Sequence, residues 1–254
     1  YVFPGQGSQA VGMGKDLWEN FDIVKTIFKQ ADEAVGFPLT RLIFEGPDDE
    51  LRKTSNSQPA LVTMSIACLK AAQETAGSKL PAADFMAGHS LGEYAALNAA
   101  GVIDFHTAVF LVKERGRLMY EAGVKQPGAM AAVIGMEQAF LNEICQQTNT
   151  VIANLNSPGQ LIISGATENI AKATELAKTK GSRVMPLAVS GAFHSPLMQP
   201  AVEGMAQILE KTTFRNPIVP IISNVTAQPL TDARQFKDEL LQQLTSGVQW
   251  QTSV

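Results

Sequence analysis

The sequence predicts an α/β protein whose main domain is discontinuous, because a small split βαβ unit interrupts it. The pattern of residues 84–101 predicts an apolar strand, a glycine turn and an alanine-rich helix. Residues 128–189 contain four short strand-like runs and two helical patterns, and a strand-like IVPIISN and another helix come later. We therefore expect the main domain at 1–125 and 190–254 and the insert at 126–189.

The first residues, YVFPGQGSQ, predict a short strand that ends in a loop at Pro4, Gly5 and Gly7, because proline and glycine interrupt regular structure. Helical patterns dominate residues 15–76. The same kind of periodicity predicts four further helices, at 137–147, 167–180, 197–211 and 232–245.

The composition excludes several classes of protein. With 254 residues, 45% of them hydrophobic, the chain can bury a large core. A net charge of -4 gives no global positive field, which excludes nonspecific binding to nucleic acid or to an anionic membrane. Cys68 and Cys145 provide neither a disulfide framework nor metal-ligand spacing. We therefore expect no metal site. No apolar run is long enough to span a membrane, so we expect a cytoplasmic protein.

The segment Gly88-His89-Ser90-Leu91-Gly92 matches G-x-S-x-G, in which glycines let a serine occupy a tight turn between a strand and a helix. Such a turn exposes the Ser90 hydroxyl and directs helix N-terminal amides toward an oxyanion nearby. A glycine-bounded helix cap is the simpler alternative. The strand before the turn and the helix after it favour a nucleophile.

A serine nucleophile needs a base, and the chain contains three histidines. His89 adjoins Ser90, where the turn should point it elsewhere, and His106 follows Asp104 at a helix start, which helix capping explains. His194 lies in a loop before a helix and follows the serine in chain order, as in α/β-hydrolase-like sites. We predict a Ser90–His194 dyad whose imidazole is oriented by a backbone carbonyl. An exposed loop histidine is the alternative.

Arg115 lies on the apolar stripe of a helix predicted at 106–123, in line with Ala108, Leu111 and Leu118. A buried guanidinium keeps its charge and needs an anionic partner, and its planar fork matches a carboxylate. The partner could be an internal Asp or Glu, or a substrate that carries a free carboxylate.

Six features together resemble the malonyl-CoA:acyl carrier protein transacylases: FPGQGSQ at 3–9, QPAL at 58–61, GHSLGE at 88–93, Arg115, ANLNSPGQ at 153–160 and GAFHSPLM at 191–198. They occur in family order over nearly the whole chain. The resemblance implies an α/β-hydrolase-like domain with a parallel sheet and a ferredoxin-like insert. It also implies malonyl transfer through Ser90, with His194 as the base and Arg115 as the clamp for the malonyl carboxylate.

The resemblance implies further roles for five residues. The backbone amides of Gln6 and Leu91 would form an oxyanion hole. Gln58 and Asn154 would line the site as hydrogen-bonding support. The main-chain carbonyl of Gln249 would orient the catalytic histidine.

The implied substrates are malonyl-CoA and a phosphopantetheinylated acyl carrier protein, with no cofactor, and the enzyme is expected to be a monomer. Phe193 would crowd an α-branched acyl group, which favours malonyl over methylmalonyl. Lys178, Lys180 and Arg183 form a basic cluster that could steer an acidic carrier, or that could simply be a solvated helix end.

Three other functions stay open: the acyltransferase domain of a polyketide synthase, a serine thioesterase or esterase, and a noncatalytic carrier-binding module. A buried Arg115 has no use in an esterase, and Ser90 and His194 argue against a pure binding module. The family continues past the helix expected near Trp250, whereas the sequence stops at Val254, so we expect it to be truncated.

Overall fold

The computed structural model describes residues 1–254, which form two compact units. The first unit consists of residues 1–116, 212–222 and 229–235. The second unit consists of residues 117–211, 223–228 and 236–254. Each unit contains one β-sheet.

The strands in chain order are β1 (Val2–Phe3), β2 (Met86–Gly88), β3 (Gly128–Ile134), β4 (Val151–Ser157), β5 (Gln160–Ala166), β6 (Arg183–Pro186), β7 (Ile221–Ile222) and β8 (Pro229–Leu230). The α-helices are α1 (Lys15–Asn20), α2 (Asp22–Val35), α3 (Leu39–Glu45), α4 (Asp48–Arg52), α5 (Thr54–Ala76), α6 (Gly92–Ala99), α7 (Phe105–Lys125), α8 (Gln138–Thr148), α9 (Thr167–Thr179), α10 (Gln199–Leu209), α11 (Ala233–Gln242) and α12 (Trp250–Ser253).

The sheet of the first unit has the strand order β1-β2-β7-β8. Strands β1, β2 and β7 are parallel, and β8 pairs antiparallel with β7. Phe3 lies opposite Gly88 in the register. Because parallel strands run in the same direction, the loop after Phe3 begins beside the turn that follows Gly88. The predicted parallel sheet is confirmed.

Helices α2 and α5 pack together and form much of the core of the first unit. The buried positions Val24, Ile27, Phe28 and Ala31 of α2 follow the spacing of one helix face. Helix α5 is buried through most of its first half, and the buried residues there include polar ones such as Thr54. The start of α5 is therefore part of the interior rather than a solvated helix end.

The sheet of the second unit has the order β4-β5-β3-β6, and all its neighbouring strands are antiparallel. Chain order β3-α8-β4-β5-α9-β6 with this strand order is the ferredoxin-like, split βαβ arrangement. Sheet and helices enclose one apolar cluster, which includes Val133, Leu155, Leu161, Ile163, Leu141, Ile144, Ile170 and Ala173. The predicted ferredoxin-like insert is confirmed.

Most predicted elements agree closely with the structure. The runs 151–157 and 160–166 are strands over their full predicted lengths. The helix predicted at 197–211 differs at its start, where a 3-10 turn at Pro196–Met198 precedes α10.

All four strands of the second sheet lie within 126–189, but the compact unit that holds them is larger, so the domain boundaries stay a prediction. No helix combines the length and apolarity that a membrane crossing requires.

Leu141→Ala should lower the free energy of unfolding by about 2–5 kcal/mol, because it removes a fully buried side chain and leaves a cavity between α8 and the sheet. Urea unfolding followed by circular dichroism measures the change. Phe140→Ala is the matched control, because the neighbouring Phe140 side chain is 58% exposed and should change stability little. Equal effects of both substitutions would contradict this account of the core.

Candidate active site

Ser90 occupies a sharp turn between β2 and α6, as the G-x-S-x-G pattern predicts. Its φ of 52° lies in the left-handed region that non-glycine residues rarely adopt. Main-chain hydrogen bonds close the turn: Gly92 N–H donates to the His89 carbonyl at 2.9 Å, and Glu93 N–H donates to the Ser90 carbonyl at 3.1 Å. The turn is therefore a strained strand-to-helix elbow.

Glycines give this elbow the space that it needs. A Cβ on Gly88 would lie 2.0 Å from the main chain of Gly92, and a Cβ on Gly92 would lie 2.6 Å from the Phe3 carbonyl oxygen. A Cβ on Gly5 would lie 2.8 Å from the Nδ1 of His89. The two glycines of the motif are thus required by main-chain contacts, which cannot yield as a flexible side chain can.

Arg115 is 1% exposed, as its place on the apolar stripe of α7 predicts. Its Nη1 donates to Gln58 Oε1 at 2.8 Å, and its Nη2 donates to Ser90 Oγ at 3.0 Å. The guanidinium carbon lies 5.9 Å from the centre of the Tyr94 ring, which favours a cation. Burial lowers the pKa of Arg115, although an arginine begins so high that the group stays charged at neutral pH.

A close approach of α7 to the start of α5 brings Arg115 to Gln58. A Cβ on Gly116 would lie 2.6 Å from the carbonyl oxygen of Thr54, so only glycine fits beside Arg115 at this crossing. Gln58 is fully buried. The structure thus brings Gln58 into contact with Arg115, and its predicted role as hydrogen-bonding support for the substrate site stays a prediction.

The polar contact continues from Gln58 toward the first loop of the chain. Gln58 Nε2 donates to Thr54 Oγ1 at 2.9 Å, and Thr54 Oγ1 donates to Gln6 Oε1 at 3.0 Å. Thr54 is 2% exposed and was not predicted as a site residue. The available signal was its spacing, because a residue four positions before Gln58 lies on the same helix face.

Leu91 directly follows the nucleophile candidate and is buried. It precedes the first residue of α6, where helical amides have no carbonyl partner within the helix. Gln6 lies in the loop after β1, which begins beside the elbow. These positions are compatible with the two amides as oxyanion donors, and that role stays a prediction.

His194 belongs to the second unit, in the loop between β6 and α10. The side chain is 4% exposed, so the exposed-loop alternative is wrong, and its φ of 56° is again left-handed. Its Nδ1 lies 2.7 Å from the carbonyl oxygen of Gln243. Because a carbonyl only accepts, Nδ1 carries the proton and Nε2 the lone pair in the neutral ring.

The carbonyl that orients His194 is therefore that of Gln243, and the assignment of this role to Gln249 was wrong. The Gln249 carbonyl accepts the N–H groups of Thr252 and Ser253, both at 3.1 Å, at the start of α12. The carbonyl of Gln243 belongs to the turn that follows α11. A backbone carbonyl does bind the His194 ring, but it belongs to Gln243, six residues before Gln249.

Asn154 is buried on β4 and forms an isolated parallel bridge with Val248. Val248 N–H donates to the Ala153 carbonyl and Leu155 N–H donates to the Val248 carbonyl, each at 2.9 Å. The segment before α12 is therefore held along the edge of β4. The role of the Asn154 side chain in substrate binding stays a prediction.

The remaining candidate ligands and bases do not assemble into another site. His106 is exposed, and the Thr107 N–H donates to Asp104 Oδ1 at 2.7 Å, which confirms the capping interpretation of that helix start. No group of three or more His, Cys, Asp or Glu side chains is arranged to hold a metal ion. Of the predicted site residues, Gln6, Gln58, Ser90, Leu91 and Arg115 belong to the first unit, and Asn154, His194 and Gln249 belong to the second.

Comparison with known families decides the relationship of this chain. The family model described as acyl transferase domain matches residues 1–254. The chain belongs to the acyl transferase domain family. Malonyl CoA-acyl carrier protein transacylase of Bacillus subtilis is 45% identical over 260 residues, which cover 100% of this chain and 81% of the relative. The protein of that name from Escherichia coli K12 is 45% identical over 100% of this chain and 83% of its own length.

Solved structures of acyl transferases have the same fold. An acyl carrier protein S-malonyltransferase from Vibrio cholerae superposes with a TM-score of 0.94 at 42% identity, over 99% of this chain and 83% of that one. A malonyl-transacylase solved in complex with its type II polyketide synthase acyl carrier protein gives a TM-score of 0.92 at 41% identity, over 98% and 81% of the two chains. At this identity the fold and the domain family are both shared.

We expect His194 of this acyl transferase domain to carry its neutral-ring proton on Nδ1, because the Gln243 carbonyl can only accept. Nitrogen-15 NMR of histidine-labelled protein above the pKa of the ring distinguishes the two tautomers. His194→Gln assigns the resonances, and the exposed His106 gives an internal reference in the same spectrum. A His194 ring protonated on Nε2 would contradict the assignment of the orienting carbonyl.

Proposed function

We propose that this chain is a malonyl-CoA:acyl carrier protein transacylase that works through a malonyl ester on Ser90. The catalytic pair is Ser90 and His194, and Arg115 binds the malonyl carboxylate. The names of the relatives and of the solved structures support the reaction, and the contacts of these residues support their roles.

The observation that carries the proposal is the 3.0 Å hydrogen bond from the Arg115 guanidinium to the Ser90 hydroxyl. A malonyl group on Ser90 places a carboxylate two carbon–carbon bonds beyond the ester carbonyl. A guanidinium within one hydrogen bond of the serine oxygen is within reach of that carboxylate. An acetyl group has no charge to offer, so the buried cation favours malonyl.

In the first half-reaction, His194 Nε2 takes the Ser90 proton as the Ser90 oxygen attacks the thioester carbonyl of malonyl-CoA. The Gln6 and Leu91 amides donate to the oxyanion of the tetrahedral intermediate. The carbon–sulfur bond then breaks, and coenzyme A leaves as a thiol with the proton from His194. Malonyl-Ser90 remains, with its carboxylate on Arg115.

In the second half-reaction, the phosphopantetheine thiol of the carrier attacks malonyl-Ser90 while His194 accepts the thiol proton. The ester bond to Ser90 breaks, and His194 returns the proton to the serine oxygen. Each step is chemically the reverse of the first half-reaction with a different thiol. No cofactor is required, because the acyl group enters and leaves as a thioester.

Two further residues support specificity. Gln58 Oε1 accepts a hydrogen bond from one side of the Arg115 guanidinium. This bond fixes the plane of the guanidinium and therefore the directions of its other N–H donors. Phe193 is 5% exposed and directly precedes the base, where its ring excludes an α-methyl branch and favours malonyl over methylmalonyl. Asn154 supports substrate binding from β4.

A basic surface at the end of α9 receives the acidic carrier. Lys180 and Arg183 are exposed, whereas Lys178 is paired with Glu175 at 2.9 Å. Lys180 and Arg183 therefore supply most of the charge available to steer a partner. The related malonyl-transacylase solved with its acyl carrier protein supports a carrier of this class as the partner.

A brief exposure to malonyl-CoA should add one malonyl group to the protein, as intact-protein mass spectrometry measures, because Ser90 is the nucleophile. Ser90→Ala should remove the adduct, and phosphopantetheinylated acyl carrier protein should discharge it from the wild type. Rapid loss of the adduct to water without a carrier thiol would favour the esterase alternative. A folded protein that forms no adduct would overturn the proposed function.

Arg115→Ala should lower kcat/KM for malonyl-CoA by about 100-fold or more, because the carboxylate then lacks its cation in a buried site. The rate with acetyl-CoA should change much less. Arg117→Ala is the matched control, because its side chain on the same helix is 46% exposed and pairs with Glu121. Equal losses with malonyl-CoA and acetyl-CoA would refute the role of Arg115 as a carboxylate clamp.

The double substitution Lys180→Glu and Arg183→Glu should lower kcat/KM for the carrier by about 3- to 10-fold at low salt and leave acylation by malonyl-CoA unchanged, because rim charges act mainly on association. Lys29→Glu, at a side chain that is 80% exposed on α2, is the control. The difference should shrink as ionic strength rises. An unchanged carrier kcat/KM at low salt would refute this docking surface.

A further inference from the structure

We propose that Thr54 is a positioning residue that couples the carboxylate clamp at Arg115 to the oxyanion loop at Gln6. The proposal rests on the proposed function for the roles of Arg115 and Gln6. It adds a residue that contacts neither substrate nor reacting atoms. Thr54 acts through a chain of three hydrogen bonds that runs from Arg115 through Gln58 and Thr54 to Gln6.

The direction of this chain is fixed at one end by Arg115. A guanidinium can only donate, so Gln58 presents its oxygen to Arg115 and its NH₂ group to Thr54. The Thr54 hydroxyl accepts that bond and has its own proton left for Gln6 Oε1. All three bonds therefore point the same way, and each polarises the next.

Burial makes the hydroxyl of Thr54 difficult to replace. Thr54 is 2% exposed, Gln58 is fully buried, and Gly116 packs against the Thr54 carbonyl. Without the hydroxyl, the NH₂ group of Gln58 would lose this hydrogen bond in the interior. The Gln58 amide could then rotate and present its NH₂ group to Arg115, which would repel the cation instead of holding it.

At the other end, Thr54 tethers the side chain of Gln6, whose main-chain amide is an oxyanion donor in the proposed mechanism. Within the loop that carries Gln6, the Gly7 N–H donates to Gln9 Oε1 at 2.8 Å. One hydroxyl thus fixes both the group that recognises the far end of the malonyl unit and the loop that receives its carbonyl oxygen.

Single-turnover acylation of Ser90 by malonyl-CoA and by acetyl-CoA tests the coupling. Thr54→Val, which keeps the shape and removes the hydroxyl, should slow malonyl transfer by about 10- to 100-fold. Acetyl transfer, which needs the Gln6 loop but not Arg115, should slow by a smaller factor of about 3- to 10-fold. Thr54→Ser should restore both rates.

Thr63→Val is the matched control, because Thr63 is also fully buried on α5 but its hydroxyl donates to the Pro59 carbonyl of its own helix. It should change neither rate. A loss confined to malonyl in Thr54→Val would overturn the link to Gln6, and an equal loss with both acyl groups would overturn the link to Arg115. Equal effects of Thr63→Val and Thr54→Val would overturn the proposal, because they would show that Thr54 contributes only to packing.

A second readout does not depend on activity. The side-chain N–H signals of Arg115, assigned by their loss in Arg115→Lys, should shift and exchange faster in Thr54→Val but not in Thr54→Ser or Thr63→Val. Unchanged Arg115 signals in Thr54→Val would overturn the proposal. If the wild type forms no malonyl adduct while these signals respond as expected, the proposed function fails and the link between Thr54 and Arg115 stands.

Discussion

A buried positive charge at Arg115 is the constraint on which the first unit depends. Removing a guanidinium from water is costly unless acceptors surround it. The surrounding residues meet part of this need: Gln58 and Ser90 accept hydrogen bonds from the two Nη atoms, and the face of Tyr94 lies beside the cation. Gly116 lets the two helices approach closely enough for these contacts. A carboxylate would satisfy the cation better than neutral acceptors do, which is why we propose that Arg115 binds the carboxylate of an acidic acyl group.

Two of the four non-glycine residues with positive φ angles are the residues to which we assign the chemistry. Ser90 and His194 both have left-handed φ angles, a conformation that costs on the order of 1–3 kcal/mol for a residue with a side chain. Such strain persists only where the surroundings fix it. At Ser90 the glycines and the α6 hydrogen bonds do so, and at His194 the Gln243 carbonyl fixes the ring. In both units the main chain, more than any side chain, sets the geometry of the reactive group.

Much of the fold and part of the site could be predicted because they depend on local patterns. Helical periodicity placed Arg115 on a buried face, and G-x-S-x-G specified the turn at Ser90. The orienting carbonyl was misplaced from Gln243 to Gln249, because a main-chain acceptor leaves no side-chain signature in a sequence. Thr54 was missed for a different reason: its spacing from Gln58 places it on the same helix face, but its hydrogen bond to Gln6 in the loop after β1 is a tertiary contact that no local pattern encodes.

We propose that the charge of the substrate, not merely its size, is recognised next to Ser90. Rapid-quench acylation of the unmodified protein by malonyl-CoA and by its neutral carboxamide analogue tests this recognition, because the amide keeps nearly the size of the carboxylate, removes its charge and leaves the protein intact. We expect acylation of Ser90 by the amide analogue to be about 100-fold slower or more, because the buried cation at Arg115 then faces no anion. Equal rates for the two thioesters would contradict the claim and leave Arg115 a structural residue.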